Sequence, residues 1–154
     1  MPIPPGIQAP DFSLLDEGNI TRRLSDFHGR PVVLYFYPKD DTPGCTTEAC
    51  AFRDDYSAYV KADLVVLGVS PDSPKTHAKF KEKYSLPFPL LADEGHKVCD
   101  EYGVWGPKKF MGREYEGVLR TTFLIDSNGH IAKVFENVRP AEHSAEVLDA
   151  AKML

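Results

Sequence analysis

The sequence predicts an α/β sandwich: a mixed central sheet flanked by helices on both faces. Three observations lead there. Two continuous β-branched and aromatic runs, "PVVLYFY" (31–37) and "DLVVLGVS" (63–70), suit strands covered on both faces. Between them the apolar residues switch to a helical period. Near the C-terminus, "TTFLID" (121–126) and "HIAKVFENV" (130–138) flank an Asn-Gly turn at 128–129, the pattern of a hairpin.

Taken in order, "DFSLLDEGNITRRLSDF" opens as a small hairpin around Glu17-Gly18-Asn19. Pro38 ends the 31–37 strand, since proline cannot donate to a ladder. A single helix is expected from about Pro43 to Val60, where Ala49, Phe52, Tyr56, Tyr59 and Val60 form one apolar stripe. The 63–70 strand leads to a lysine-rich helix from about Ser73 to Tyr84, with Lys79, Lys81 and Lys83 as a solvated face. "FPLLAD" (88–93) reads as a third short strand, followed by a helix from about Gly95 to Tyr102. Residues 103–118 read as a glycine-rich loop, and a last helix spans about Ala141 to Met153. Crossovers between parallel strands should be right-handed.

With 154 residues, 42% hydrophobic and 27% charged, the chain fits one globular domain over 1–154. Its net charge of −5 argues against a broad basic nucleic-acid surface. No apolar run approaches the ~20 residues of a membrane span, and "MPIPPGIQAPDF" lacks the charged and apolar regions of a secretory signal. A cytoplasmic protein with no membrane partner is expected. Three cysteines make no disulfide framework, and in a reducing compartment a cysteine pair is more often redox-active than structural. The histidines at 28, 77, 96, 130 and 143 show no metal-ligand spacing. They read as surface or satisfied polar residues, and no metal or cofactor is expected.

Chemistry concentrates in "YFYPKDDTPGCTTEAC" (35–50). Thr42 suits a helix N-cap and Pro43 the first helical position. Cys45 then falls in the first turn, where free backbone N–H groups and the positive dipole end favour an anion. The thiolate is the form that nucleophilic chemistry requires. Cys50 lies roughly 7.5 Å further along the axis, beyond the ~6.8 Å reach of a disulfide. Either the bond never forms, or the turn unwinds to make it. On residues alone two readings stand open: a reactive pair, or a small core cysteine beside an ordinary turn.

With these residues in view, the sequence resembles peroxiredoxins of the bacterioferritin-comigratory (PrxQ) type. Pro38-x-x-x-Thr42-x-x-Cys45 matches that family's active-site pattern, and "TTEAC" puts Cys50 at the subgroup's resolving position. The likeness continues through "KVCDEYGVWGPKKFMG" and "LRTTFLIDSNGHI". It implies a thioredoxin-like fold with the N-terminal hairpin as an extension, and reduction of hydroperoxides with electrons from thioredoxin or a similar dithiol. It further implies a monomer. In this scheme Cys45 is oxidised to a sulfenic acid, and Cys50 resolves it as an intramolecular disulfide. Arg120 is the cation at thiolate and peroxide, Thr42 a hydrogen-bonding group, and Pro38 a shield against water. Spacing alone does not single out Arg120 among seven arginines.

Several neighbours have two readings. Glu48 either orients an arginine or favours the helix N-terminus. Cys99 is expected in the core, with a minor redox role left open by the likeness. Trp105 and Phe110 are expected to hold a long loop onto the core, and Trp105 alternatively lines the site. Asp40 and Asp41 are expected to face solvent, because inward carboxylates would disfavour a nearby thiolate. A thioredoxin-like electron carrier would be expected to carry Cys-x-x-Cys, which is absent here. A stoichiometric peroxide sensor shares the chemistry and differs only in turnover, and a non-enzymatic binding protein would not need Cys45.

Overall fold

The computed structural model describes residues 1–154. A seven-stranded sheet is built from β1 (Ser13–Leu15), β2 (Thr21–Arg23), β3 (Val32–Phe36), β4 (Val65–Ser70), β5 (Leu90–Ala92), β8 (Thr121–Ile125) and β9 (Ile131–Glu136). Their order across the sheet is β2-β1-β5-β4-β3-β8-β9. A separate two-stranded ribbon comprises β6 (Trp105–Phe110) and β7 (Arg113–Val118). The helices are α1 (Pro43–Asp54), α2 (Tyr56–Lys61), α3 (Pro74–Tyr84), α4 (Lys97–Glu101) and α5 (His143–Ala151). No helix is long and apolar enough to cross a membrane.

β3 and β4 run parallel at the centre, and β8 pairs antiparallel with β3, so the sheet is mixed as expected. Every residue of β3, β4 and β8 is buried, which is why β3 and β4 are nearly unbroken apolar runs. Side chains alternate across a strand. Val32, Leu34 and Phe36 enter one core with α4 residues Val98 and Cys99. Val33, Tyr35 and Tyr37 enter the other with Ala49 and Phe52 of α1, Tyr59 of α2, Phe80 of α3 and Val147 of α5.

Three expectations need correction. The 43–60 helix is broken at Asp55, whose carboxylate accepts from the Ser144 hydroxyl at 2.6 Å instead of continuing a smooth helical face. The break re-phases the chain, and Val60 is left 58% exposed rather than in the apolar stripe. The supposed loop at 103–118 is the β6–β7 ribbon, turned at Met111 (φ 52) and Gly112 (φ 79). Two left-handed residues make the twisted two-residue turn a hairpin requires, but Met-Gly is not its usual signature. Phe110 sits at that ribbon's tip, 65% exposed, and holds nothing onto the core.

Gly68 of β4 sits opposite Tyr35 of β3. A Cβ there would lie 2.9 Å from the Tyr35 ring and hydroxyl and 3.0 Å from a Leu90 methyl. Gly68→Ala is expected to destabilise the protein by about 1–3 kcal/mol through overpacking. Urea denaturation checks this, and an unchanged midpoint would mean that Tyr35 has room to move.

Candidate active site

The register of β3 with β8 decides where the site forms. Phe36, the last residue of β3, pairs with Thr121, the first of β8. The chain leaves β3 toward α1 at the same end of the sheet where it enters β8, so Arg120 meets the start of α1. A one-residue slip of register would turn the strand's side chains to opposite faces.

Thr42 occupies the N-cap in extended conformation (φ −98°, ψ 156°) with Pro43 next, as expected. Its hydroxyl, however, makes no cap. It donates instead to the Lys39 carbonyl at 2.9 Å, closing the 39–42 loop on itself. Cys45 is the third residue of α1 and is 1% exposed. Arg120 Nη2 lies 3.3 Å from its Sγ, while Nη1 donates to Glu48 Oε1 at 2.8 Å. One guanidinium thus spans two residues a helical turn apart, using the planar fork that lysine lacks. Gly44 makes room for it: a Cβ there would sit 3.2 Å from Arg120 Nη2.

Glu48 therefore orients the arginine. It is wholly buried, and burial pushes its carboxyl up to about 7, with Arg120 pulling the other way. Burial also works against the Arg120 cation, but Glu48 and then Cys45 outweigh it and the guanidinium is held more firmly protonated than usual. Glu48 Oε2 and the Tyr35 hydroxyl are the two buried side-chain polar atoms without a hydrogen-bond partner. Glu48 is also the nearest-acting charge on Tyr35 after burial itself, and both effects raise the phenol well above its ordinary range.

Pro38 lines a cavity of about 350 Å³ with Trp105, Lys108 and Tyr115. Arg120 lines another of about 260 Å³ with Thr121 and, again, Lys108. Lys108 donates to the Val118 carbonyl at 2.9 Å; burial and then Arg120 lower its ammonium, against Cys45, which supports it. Trp105 shares the first of these cavities with Pro38, and it also packs against the core and stacks on His96, with ring centroids 3.8 Å apart. Lys108 was not legible as a site residue, because the ribbon that aims it was itself unread.

Cys50 is half-buried on the same unbroken helix as Cys45, and both thiols are free. Cys99 is fully buried in the core cluster of α4, as expected, and burial pushes its thiol far up, assisted by Asp93. Asp41 faces outward, paired with Lys83 at 2.8 Å and Tyr84 at 2.9 Å. Asp40 does not. The left-handed turn at Asp41 (φ 57) swings the preceding side chain inward, where it is 6% exposed and bonded to Tyr37 and His77.

A sheet of this topology, with a buried cysteine opening its first long helix under a guanidinium, defines a thiol-based redox enzyme of thioredoxin-like fold. The AhpC/TSA family matches residues 5–134, and the chain belongs to that family, in its bacterioferritin-comigratory (PrxQ) branch of thiol peroxidases. It is 50% identical to peroxiredoxin Bcp of Bacillus subtilis (strain 168), over 99% of this chain and 97% of that one. Identity to peroxiredoxin Bcp of Escherichia coli (strain K12) is 46%, covering 98% and 97%. Among solved structures it resembles peroxidoxin BcpB of Mycobacterium tuberculosis, with a TM-score of 0.88, 34% identity and coverage of 99% and 98%. The Xanthomonas campestris bacterioferritin comigratory protein, described for its alkyl peroxide reduction activity, gives 0.87 at 36% identity, covering 92% and 90%.

Because Glu48 ionises near 4.5 unfolded and about 7 folded, the native state binds more protons across that interval. Stability should therefore fall as pH rises from 4.5 to 7, by at most on the order of 3 kcal/mol from this group. Glu48→Gln is expected to flatten that fall, measured by urea denaturation at several pH values. Parallel curves for variant and wild type would assign the pH dependence elsewhere.

Proposed function

We propose that this chain reduces hydrogen peroxide and organic hydroperoxides through Cys45, with Cys50 as the resolving cysteine and a dithiol such as thioredoxin as the reductant. The observation that carries the reading is the 3.3 Å contact between Arg120 Nη2 and Cys45 Sγ, at the start of α1. A guanidinium and the helix N-terminus together stabilise negative charge on the sulfur. Extension to organic hydroperoxides is supported by the activity named for the Xanthomonas campestris relative.

In the first step the Cys45 thiolate attacks one peroxide oxygen. The S–O bond forms, the O–O bond breaks, and the departing oxygen leaves as hydroxide or alkoxide and takes up a proton. Charge grows on that oxygen in the transition state, so donors already in place lower the barrier. Arg120 supplies them from one side and the free N–H groups of Gly44 and Cys45 from the other. Thr42 contributes by holding the loop closed through Lys39, and its oxygen keeps lone pairs for the peroxide's own hydrogen. Pro38 walls the neighbouring cavity beside Trp105 and limits water there.

In the second step Cys50 attacks the sulfenic sulfur, water leaves, and a disulfide forms. An external dithiol then reduces it by exchange. Because α1 is continuous across both cysteines, its first turns open during this step and close after reduction. The chain works as one domain, 1–154, and as a monomer.

Cys45→Ser is expected to abolish peroxide consumption. Cys50→Ser should consume one equivalent and then stop, without turnover on thioredoxin. Arg120→Gln should lower the rate constant for peroxide by about 10²–10³-fold, the cost of losing a preorganised donor. Mass-spectrometric mapping after one equivalent of hydrogen peroxide should find a Cys45–Cys50 bond with Cys99 alkylated. A Cys45–Cys99 bond would move the resolving role, a free Cys45 would end the peroxidase mechanism, and one reaction without recycling by any dithiol would indicate a sensor.

A further inference from the structure

The loop from β3 to α1 is held from behind by α3, and that hold contains a proton the peroxide chemistry does not use. Asp40 lies two residues after Pro38. Its Oδ1 accepts from the Tyr37 hydroxyl at 2.6 Å. Its Oδ2 lies 2.6 Å from Nδ1 of His77, a fully buried residue near the start of α3, and accepts from the Thr76 hydroxyl at 3.1 Å. The Asp40 backbone N–H donates to Asp72 at 2.7 Å, and Asp72 also accepts from the Ser70 hydroxyl at 3.1 Å.

The other ring nitrogen of His77, Nε2, lies 2.9 Å from the Leu91 carbonyl oxygen in β5. A carbonyl only accepts, so Nε2 bears a hydrogen. Nδ1 and a carboxylate oxygen at 2.6 Å need a proton between them, because two bare acceptors repel at that separation. Asp40 and His77 together therefore hold one proton more than a neutral imidazole beside a carboxylate.

We propose that Asp40 and His77 are positioning residues for the peroxide site: the hydrogen bond between them closes a buried clasp that holds the Pro38–Thr42 loop in its peroxide-reactive arrangement. This rests on the Cys45 reading above, since the loop carries Pro38 and delivers the chain into α1. The second tie between loop and α3, Asp41 with Lys83, is solvent-exposed and holds weakly. The titratable groups facing the clasp are Tyr37 just past the end of β3, Tyr35 of β3 stacked on it, and Asp72 from the β4–α3 turn, whereas β5 offers the Leu91 carbonyl. Burial first, then Tyr35 and Asp40, keep the Tyr37 phenol protonated well above its ordinary range, so it stays a donor.

Asp40→Asn separates this role from simple support. Its amide can donate to a neutral His77 and keep the bond without the extra proton, whereas Asp40→Ala cannot. Expected for hydrogen peroxide is a fall in kcat/KM of about tenfold or more in Asp40→Ala, consistent with a small misplacement of reacting groups. Asp40→Asn should stay within about twofold of wild type at neutral pH. Wild type should show a downfield proton resonance that is absent from Asp40→Ala and His77→Gln. If Asp40→Ala does not fold, His77→Gln and the wild-type resonance decide alone. A wild-type rate in Asp40→Ala or His77→Gln, or the absence of any downfield resonance from wild type, overturns the clasp while leaving the peroxidase standing. Undiminished activity in Cys45→Ser overturns the peroxidase reading itself.

Discussion

Everything at this site depends on one long-range joint, the Arg120 guanidinium shared between Cys45 and Glu48. Its partners lie 75 and 72 residues away in the chain, so no local preference of the sequence creates it. The β3–β8 register creates it, by ending one strand where the other begins. The joint also explains two features that look unfavourable in isolation. Glu48 is a carboxylate with no exposure, which is costly unless a cation neutralises it. Gly44 weakens a helix first turn by its backbone freedom, but any side chain there would crowd the guanidinium. Both residues serve Arg120, and Arg120 serves the sulfur.

How much of this was legible in the sequence follows from the range of the interactions involved. Strands at 31–37 and 63–70 were readable because burial on both faces leaves an unbroken apolar run. The start of α1 was readable because capping chemistry is local, and Thr42 and Pro43 occupy the positions their types prefer. The β6–β7 ribbon was not, since one strand carries Pro107 and two lysines, the other is mostly exposed, and the turn is Met-Gly. Asp40 pointed the wrong way for a related reason. A single left-handed residue, Asp41, reverses the loop, and the sequence carries no mark of which aspartate will adopt it. Arg120 came from family likeness, and Glu48's part became definite only when the sheet brought the two together.

The same contacts indicate where α1 can yield during the proposed cycle. Its C-terminal end is fastened twice, Arg53 to the Tyr84 carbonyl at 2.8 Å and the C-cap Asp55 to the Ser144 hydroxyl at 2.6 Å, and α2 just beyond it once, Tyr59 hydroxyl to the Ser144 carbonyl at 2.8 Å. Phe52, fully buried, stacks on Tyr35 and meets Tyr59, Phe88 and His143 edge-on. Moving it would expose an aromatic core at a cost of several kcal/mol, as truncating such a residue does. Upstream, the Asp40–His77 clasp fixes the loop before Thr42. Between these anchors, residues 43–49 are held to the rest of the protein chiefly through Arg120 and by the burial of Cys45, Glu48 and Ala49. In the proposed cycle, oxidising Cys45 takes the negative charge on its sulfur from under the guanidinium, and with it one of the joint's two partners. The chemistry of the first step therefore weakens the contact that keeps this segment helical, and the segment that loosens is the one that must open for Cys50 to reach the sulfur.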